Sequence, residues 1–490
     1  MKGVCILLLA HIYQGQNRGV KVVIINRKPL FLYKFITMVT TVNPATRKEI
    51  KDYPLLTLAE VDQLLGLNHD TYLNWKNSSI SQRGDLFLKL AFLLRERMDE
   101  LALLITSEMG KILQESKAEI EKCAWLCEYY AEHTASLLNT EAMTSDASTC
   151  YVRFDPLGTV FALMPWNFPF WQVFRAALPT MMAGNTFVLR HARNVLGCGE
   201  AIHSLFLEAG FPKNSFNNLN ISIELTEQVI AHPAVCGVTL TGSARAGKSV
   251  AAVAGKYLKK CVLELGGSDP FIVLNDAELN TSCSTGVSSR MLNAGQVCIS
   301  AKRFIIEQGV YNDFVQEHKR LLENLAIGDP THPATHMGPM ARMDLVEQLE
   351  KQINESISMG ATLITGGHRV HQQQLYFQPT LLTDVTPEMP VFKEETFGPV
   401  SVIIPAKNAE DAVRIANETS MGLGASIWTN NLKLAEEMAL KIEAGAVFIN
   451  GMTKSDPRIP FGGIKQSGFG RELGSYGIKE FLNIKTVWIK

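Results

Sequence analysis

The chain has 490 residues, with 47 Lys and Arg against 48 Asp and Glu, for a formal net charge of −1. At about 150 residues per domain this length supports two or three domains with large cores, and a composition of 46% hydrophobic and 19% charged residues excludes a mostly disordered chain. Balanced charge with no long single-sign run excludes whole-surface attraction to nucleic acid or to an anionic membrane.

The amino terminus carries a short apolar run at 4–10 after Lys2, too short to cross a bilayer, which takes about 20 apolar residues. No small-residue cleavage site follows it, and a second basic-apolar stretch occupies 21–36. Met38 opens a polar stretch that reads as the beginning of a domain. The expectation is a natural start at Met38, with residues 1–37 a non-native or poorly ordered extension. From 57 to about 135, Phe87, Leu90, Leu94 and Met98 recur at three- and four-residue intervals, with Arg95, Arg97 and Glu100 between or just beyond them. That spacing predicts a packed helical layer.

From Tyr151 the rhythm changes to short apolar runs alternating with helices. Strands are expected at 159–164, 186–189, 237–240 and 261–265, with helices at 175–183, 195–209 and 244–258. Such alternation implies a parallel sheet with right-handed crossovers, a doubly wound α/β unit. A second alternating region begins near Pro270, with strands at 271–274, 303–307, 400–405, 426–429 and 447–450 and a helix at 409–418. The Gly-rich run at 450–470 reads as a functional loop, and 484–490 as a strand able to pair with another chain. Nine scattered cysteines, an odd number without a completed zinc pattern, argue against a disulfide framework and a metal site. A reducing cytoplasm is the expected compartment.

Four segments carry chemistry. Asn293-Ala-Gly-Gln-Val-Cys298 places a cysteine after a Gly-containing turn, where a thiolate gains exposure and hydrogen-bond donors; a lone cysteine is otherwise inert packing. Glu264-Leu-Gly-Gly ends an apolar strand with a carboxylate that suits a general base facing a crevice, or a surface ion pair. Pro165-Trp166-Asn167-Phe168-Pro169 follows another strand, where the Asn167 amide either donates to a developing oxyanion or caps the next helix. Thr241-Gly242-Ser243-Ala-Arg-Ala-Gly247 lies between strand and helix, and its glycines let backbone approach a phosphate, although it is neither G-x-G-x-x-G nor a Walker loop.

In this order, and with Glu394-Glu395-Thr-Phe397-Gly-Pro and Pro460-Phe-Gly-Gly-Ile-Lys-Gln-Ser-Gly-Phe-Gly-Arg-Glu472, the chain resembles the NAD(P)-dependent aldehyde dehydrogenase family over nearly all of residues 40–490. The resemblance implies an α/β fold of two doubly wound, Rossmann-like domains plus a small β oligomerisation hairpin. The cofactor-binding domain would span 38–265 with the hairpin near 140–156, the catalytic domain 266–450, and a return loop with an oligomerisation strand 451–490. A homodimer or homotetramer is implied.

Carried over residue by residue, Cys298 would attack the aldehyde, Asn167 and the Cys298 N–H would hold the oxyanion, and Glu264 would activate the water that hydrolyses the thioester. Glu395 would hold the nicotinamide ribose with Phe397 beside it, and Trp166, Gly242 and Ser243 would meet the pyrophosphate. Arg190-His-Ala-Arg193 stands where the family often has a Lys and Glu on the adenosine ribose. The missing Glu and the two arginines predict that NADP is accepted and favoured over NAD. The stretch from Phe168 to Arg175, with Ser455 and Arg458, resembles the bacterial succinate semialdehyde dehydrogenase branch. That likeness makes Arg175, Arg458 and Ser455 candidates for binding the distal carboxylate of a small aldehyde. Leu292 departs from it, standing six before the cysteine where some members carry another arginine, so that Arg458 would have to compensate. The alternatives are a broad short-chain aldehyde dehydrogenase and, in another class, a catalytically silent member of the fold.

Overall fold

The computed structural model describes residues 20–25, 34–371 and 375–490. Local signals start the helices of the first third. Thr57 and Glu60 form a reciprocal capping box at the head of Leu58–Trp75, and Ser79 with Gln82 does the same for Ile80–Glu96. Helices Ile80–Glu96, Met98–Met109 and Leu113–Leu137 turn Phe87, Leu90, Leu94, Ile105 and Ile120 into one core with the helix Trp171–Met182.

The first large sheet has the order Gly468–Phe469, Lys260–Glu264, Val235–Thr241, Thr159–Met164, Thr186–His191, Phe216–Asn218. Its strands are parallel except Gly468–Phe469, which returns antiparallel against Leu263 and Glu264. Thr159–Met164 is buried along its whole length, as a strand covered on both faces must be. From Thr159–Met164 the chain steps one way to Thr186–His191 and later returns on the other side with Val235–Thr241, so the strand order reverses there. Register puts Leu163 opposite Leu240 and Thr241 opposite Glu264. The loops after these strands therefore open side by side at the switch point, where α/β sheets hold ligands.

The second sheet runs Thr362–Thr365, Thr380–Thr383, Val400–Ala406, Ala301–Glu307, Asp269–Val273, Gly424–Trp428, Ala446–Ile449, parallel but for its first strand. A third, antiparallel sheet pairs Leu482–Ile489 with Thr149–Pro156 and that strand with Glu141–Ala142.

Sequence and structure differ in a few places. The helix expected at 175–183 begins at Trp171, because Pro169 and Phe170 end the preceding loop earlier than the apolar pattern suggested. Phe216–Asn218, Thr362–Thr365 and Thr380–Thr383 were not anticipated, being too short to show a period. Of the amino-terminal extension, residues 1–19 and 26–33 lie outside the described residues, and with them most of the expectation about 1–37. Val20–Ile25 pairs antiparallel with Lys34–Val42, which pairs with Glu49–Pro54. Among the described residues no helix is long and apolar enough to cross a membrane.

Candidate active site

The loop bearing Cys298 is bent by its backbone. Asn293, Ala294 and Gly295 take left-handed φ values of 53°, 52° and 73° in succession, which for the first two costs roughly 1–3 kcal/mol each. A Cβ on Gly295 would stand 2.2 Å from the Gly398 carbonyl oxygen, so only glycine fits. Arg290, wholly buried, pins this loop. Its guanidinium donates to Gly295 O at 3.2 Å, Ser300 Oγ at 2.7 Å and Thr396 O at 3.0 Å, tying the cysteine segment to the Glu394–Pro399 segment. Asn167 Nδ2 donates to Gln296 O at 3.0 Å and Asn293 Nδ2 to Asn167 O at 2.8 Å, so the loop after Thr159–Met164 is locked to the cysteine loop. One N–H of the Asn167 amide is used in this way, and the other is left to donate.

Cys298 is half-buried. Desolvation pushes its thiol up to about 11, while Arg175 and Lys302 act in the opposite direction by favouring the thiolate. Lys302 Nζ is buried and donates to Gly267 O at 2.6 Å, Cys298 O at 2.8 Å and Glu395 Oε1 at 2.8 Å. It thereby joins the glycines after Glu264, the cysteine and Glu395 through one ammonium. Phe397 meets Trp166 edge to face, ring centres 5.8 Å apart.

Glu264, at the end of its strand, is buried with no hydrogen-bond partner on either carboxylate oxygen among the described residues. Burial, then repulsion from Glu472, pushes its carboxyl well above the ordinary range, against the pull of Arg175 and Arg471. Gly462, at φ 155°, leaves room for it: a Cβ there would lie 2.7 Å from Glu264 Oε1. The Glu264 carbonyl accepts from Gly242 N at 2.9 Å, and Ser243 caps the helix Ala244–Lys256 by accepting from Ala246 N at 3.3 Å.

A cavity of about 230 Å³ opens beside Cys298, lined among others by Lys122, Phe168, Trp171, Arg175, Leu292 and Ser455. Binding cavities commonly start at about 300 Å³, so this one suits a small substrate. The structure brings Cys298, Arg175 and Ser455 together on its lining and does not bring Arg458 there. The Arg458 side chain is 63% exposed, forks onto Asp456 at 2.8 and 2.6 Å, and stands over the Trp125 ring. Arg175 is buried, ion-paired to Glu472, and stacked 4.3 Å from the centre of the Phe461 ring. Arg190 is half-buried, its Nε unpartnered among the described residues, beside exposed Arg193. Glu264 does not line the cavity; it sits at the sheet's switch point with Gly242 and Ser243.

Sequence reasoning missed Lys122, Arg290 and Lys302. For Lys302 the signal was present, since Lys302 and Arg303 are adjacent cations in a strand that is otherwise apolar up to its last residue, Glu307.

The two large, mostly parallel sheets, with a cysteine on a strained loop beside the cavity and a buried carboxylate at a strand end by the switch point, define an α/β protein of the two-domain, Rossmann-like kind. The sequence profile of the aldehyde dehydrogenase family matches residues 35–487, and the chain belongs to that family. It is 46% identical over 451 residues to a probable succinate-semialdehyde dehydrogenase (NADP(+)) of Synechocystis, covering 92% of this chain and 99% of that one. It is 44% identical to the Escherichia coli succinate semialdehyde dehydrogenase (NAD(P)+) Sad, covering 92% and 98%. Among solved structures, Gox0499 superposes with a TM-score of 0.91 at 38% identity, covering 92% of this chain and 100% of that one. The succinic semialdehyde dehydrogenase of Streptococcus pyogenes, in complex with NADP+, gives 0.90 at 35% identity, covering 92% and 99%.

Proposed function

We propose that this chain oxidises succinate semialdehyde to succinate with NADP or NAD. The observation that carries the reading is the cavity: Cys298, Arg175 and Ser455 line one small space. An aldehyde at the sulfur and a carboxylate at the far end would each meet complementary groups. The Synechocystis and Escherichia coli relatives named for that substrate support it.

In this reading the Cys298 thiolate adds to the aldehyde carbon, and the free Asn167 N–H with the Cys298 backbone N–H receives the oxyanion. Loss of hydride from the thiohemiacetal carbon leaves a thioester on Cys298. NAD(P), when bound, supplies the hydride acceptor. Glu264 takes a proton from water as the water attacks the thioester carbon, and sulfur leaves as thiolate, releasing the acid.

The residues present fit that cofactor. Ser243 heads a 13-residue helix at the switch point, where phosphate is favoured, and Glu395 and Phe397 flank the same crevice. Burial first, then the like charge of Arg193, lowers Arg190, and only Glu224 offsets them. A 2′-phosphate would relieve both penalties and take the orphaned Arg190 Nε, which favours NADP over NAD. The same reading holds the enzyme to be a cytoplasmic homodimer or homotetramer; the described cysteines are all unpaired and the carboxyl-terminal strand is exposed.

The test compares kcat/KM for succinate semialdehyde and butanal with each cofactor. One charged hydrogen bond at about 1.5–3 kcal/mol predicts a preference of at least about tenfold for the carboxylated aldehyde. Equal efficiency would favour a broad short-chain aldehyde dehydrogenase instead. Activity surviving in a folded Cys298→Ser variant would remove the thiol from the chemistry.

A further inference from the structure

Two cations that the scheme above does not use line the cavity beside Cys298: exposed Lys454 and half-buried Lys122. Three- and four-residue spacing on the helix Leu113–Leu137 places Glu115, Glu119 and Lys122 on one face, and all three line the cavity. Glu119 is already engaged, accepting from the Phe170 and Trp171 N–H groups at 2.8 and 2.9 Å and pairing with Lys111. Asp456 is engaged with Arg458. Lys122 forms no ion pair among the described residues. Its Nζ donates to Ser455 Oγ at 2.9 Å and lies 4.2 Å from the centre of the Trp171 ring. Arg175, by contrast, is balanced by Glu472, with Glu264 acting on the same charge.

Ser455 has a fixed polarity. Its Oγ accepts from Lys122 Nζ at 2.9 Å and from Trp171 Nε1 at 3.0 Å. A hydroxyl has two lone pairs and one proton, so with both lone pairs taken its O–H is left to donate. Among the described residues no acceptor meets it. Leu292 lines the same cavity and brings no charge.

We propose that Lys122 and Ser455 form the anion clamp of the cavity, the ammonium and the hydroxyl proton both donating to the distal carboxylate while Trp171 fixes the direction of the hydroxyl. Lys122, not Arg458, is then the second charge that selects carboxylated aldehydes. The assignment rests on the reading of the reaction as succinate semialdehyde oxidation. Burial first, then Arg175, brings the Lys122 ammonium down to about 8; Cys123, Asp456 and Glu119 oppose that shift. The clamp is charged below that pH and loses its charge above it.

The experiment reads the ratio of kcat/KM for succinate semialdehyde to kcat/KM for butanal in the full-length enzyme. Lys122→Met lowers that ratio by about tenfold or more, Lys122→Arg keeps more of it, and Arg458→Met lowers it less than Lys122→Met. Glu115, on the same lining, has its buried carboxyl raised to about 7, so its ionisation lowers the ratio in both enzymes; the further fall as pH rises through about 8 occurs in the wild type and is lost in Lys122→Arg. A Lys122→Met enzyme with the wild-type ratio overturns the clamp, as does an equal loss on both substrates, which marks a purely structural lysine. If the wild type itself shows no preference for the carboxylated aldehyde, the functional reading fails and the clamp falls with it.

Discussion

Among the described residues, neither buried carboxylate oxygen of Glu264 has a hydrogen bond, a costly arrangement for the charged form. Its raised pKa means that below that value the group is a protonated acid and cannot take a proton from water; above it the base is present. Turnover is therefore expected to climb with pH over the range in which Glu264 ionises. Glu264→Gln keeps a pre-steady-state burst of reduced cofactor, because thioester formation does not need the base, while steady-state turnover drops roughly 10²–10⁴-fold. A variant that loses the burst as well places Glu264 before the thioester. Glu472→Gln removes the repulsion and frees Arg175 to act on Glu264, so the rising limb of the pH profile moves to lower pH. An unmoved limb means that Glu472 does not set the base.

At the scale of elements, the cysteine loop is a strained turn clamped from outside by Arg290 and Lys302. Gly295→Ala places a Cβ 2.2 Å from the Gly398 oxygen at a φ of 73°, and neither backbone has a flexible group to give way. This substitution is expected to lower the thermal midpoint by several degrees and to cut turnover at least about tenfold; a differential scan and a steady-state assay check both, and unchanged values would show that the loop relaxes freely. The candidate site loops could be picked out in the sequence because they carry rare combinations, a carboxylate before two glycines or a cysteine after a glycine turn. Long buried strands such as Val400–Ala406 were legible because they are almost wholly apolar, Ser401 being the one polar residue there. Phe216–Asn218, Thr362–Thr365 and Thr380–Thr383 were not, since three or four residues carry no period. Lys122 was hidden for a different reason: a lysine on an amphipathic helix reads as a solvent-facing charge, and only the packing of Trp171 and Ser455 against it turns it inward. Arg458 misled because its loop position suits a substrate contact, whereas Asp456, two residues earlier, captures its guanidinium.

For the whole molecule, the open question the fold poses is the small sheet of Leu482–Ile489, Thr149–Pro156 and Glu141–Ala142. It is tied down by Lys485 to Asp155 and Lys479 to Glu141, yet Ile484, Trp488 and Ile489 are 63%, 47% and 49% exposed. A few-stranded sheet with apolar residues in water on both faces is marginal alone, and among the described residues Leu482–Ile489 is an edge strand of its sheet. A net charge of −1 offers no long-range repulsion against a second copy. Covering this sheet by another copy satisfies both the edge and the apolar side chains. Light scattering on the wild type is then expected to give two or four chains, and the paired substitution Ile484→Glu with Trp488→Glu to shift the mass toward one chain at low micromolar concentration. Because the strand pairs along its full length with Thr149–Pro156 inside the same chain, the variant should keep its fold by circular dichroism. A wild type that scatters as one chain, or a double variant with unchanged mass, would mean that this strand stabilises its own subunit only.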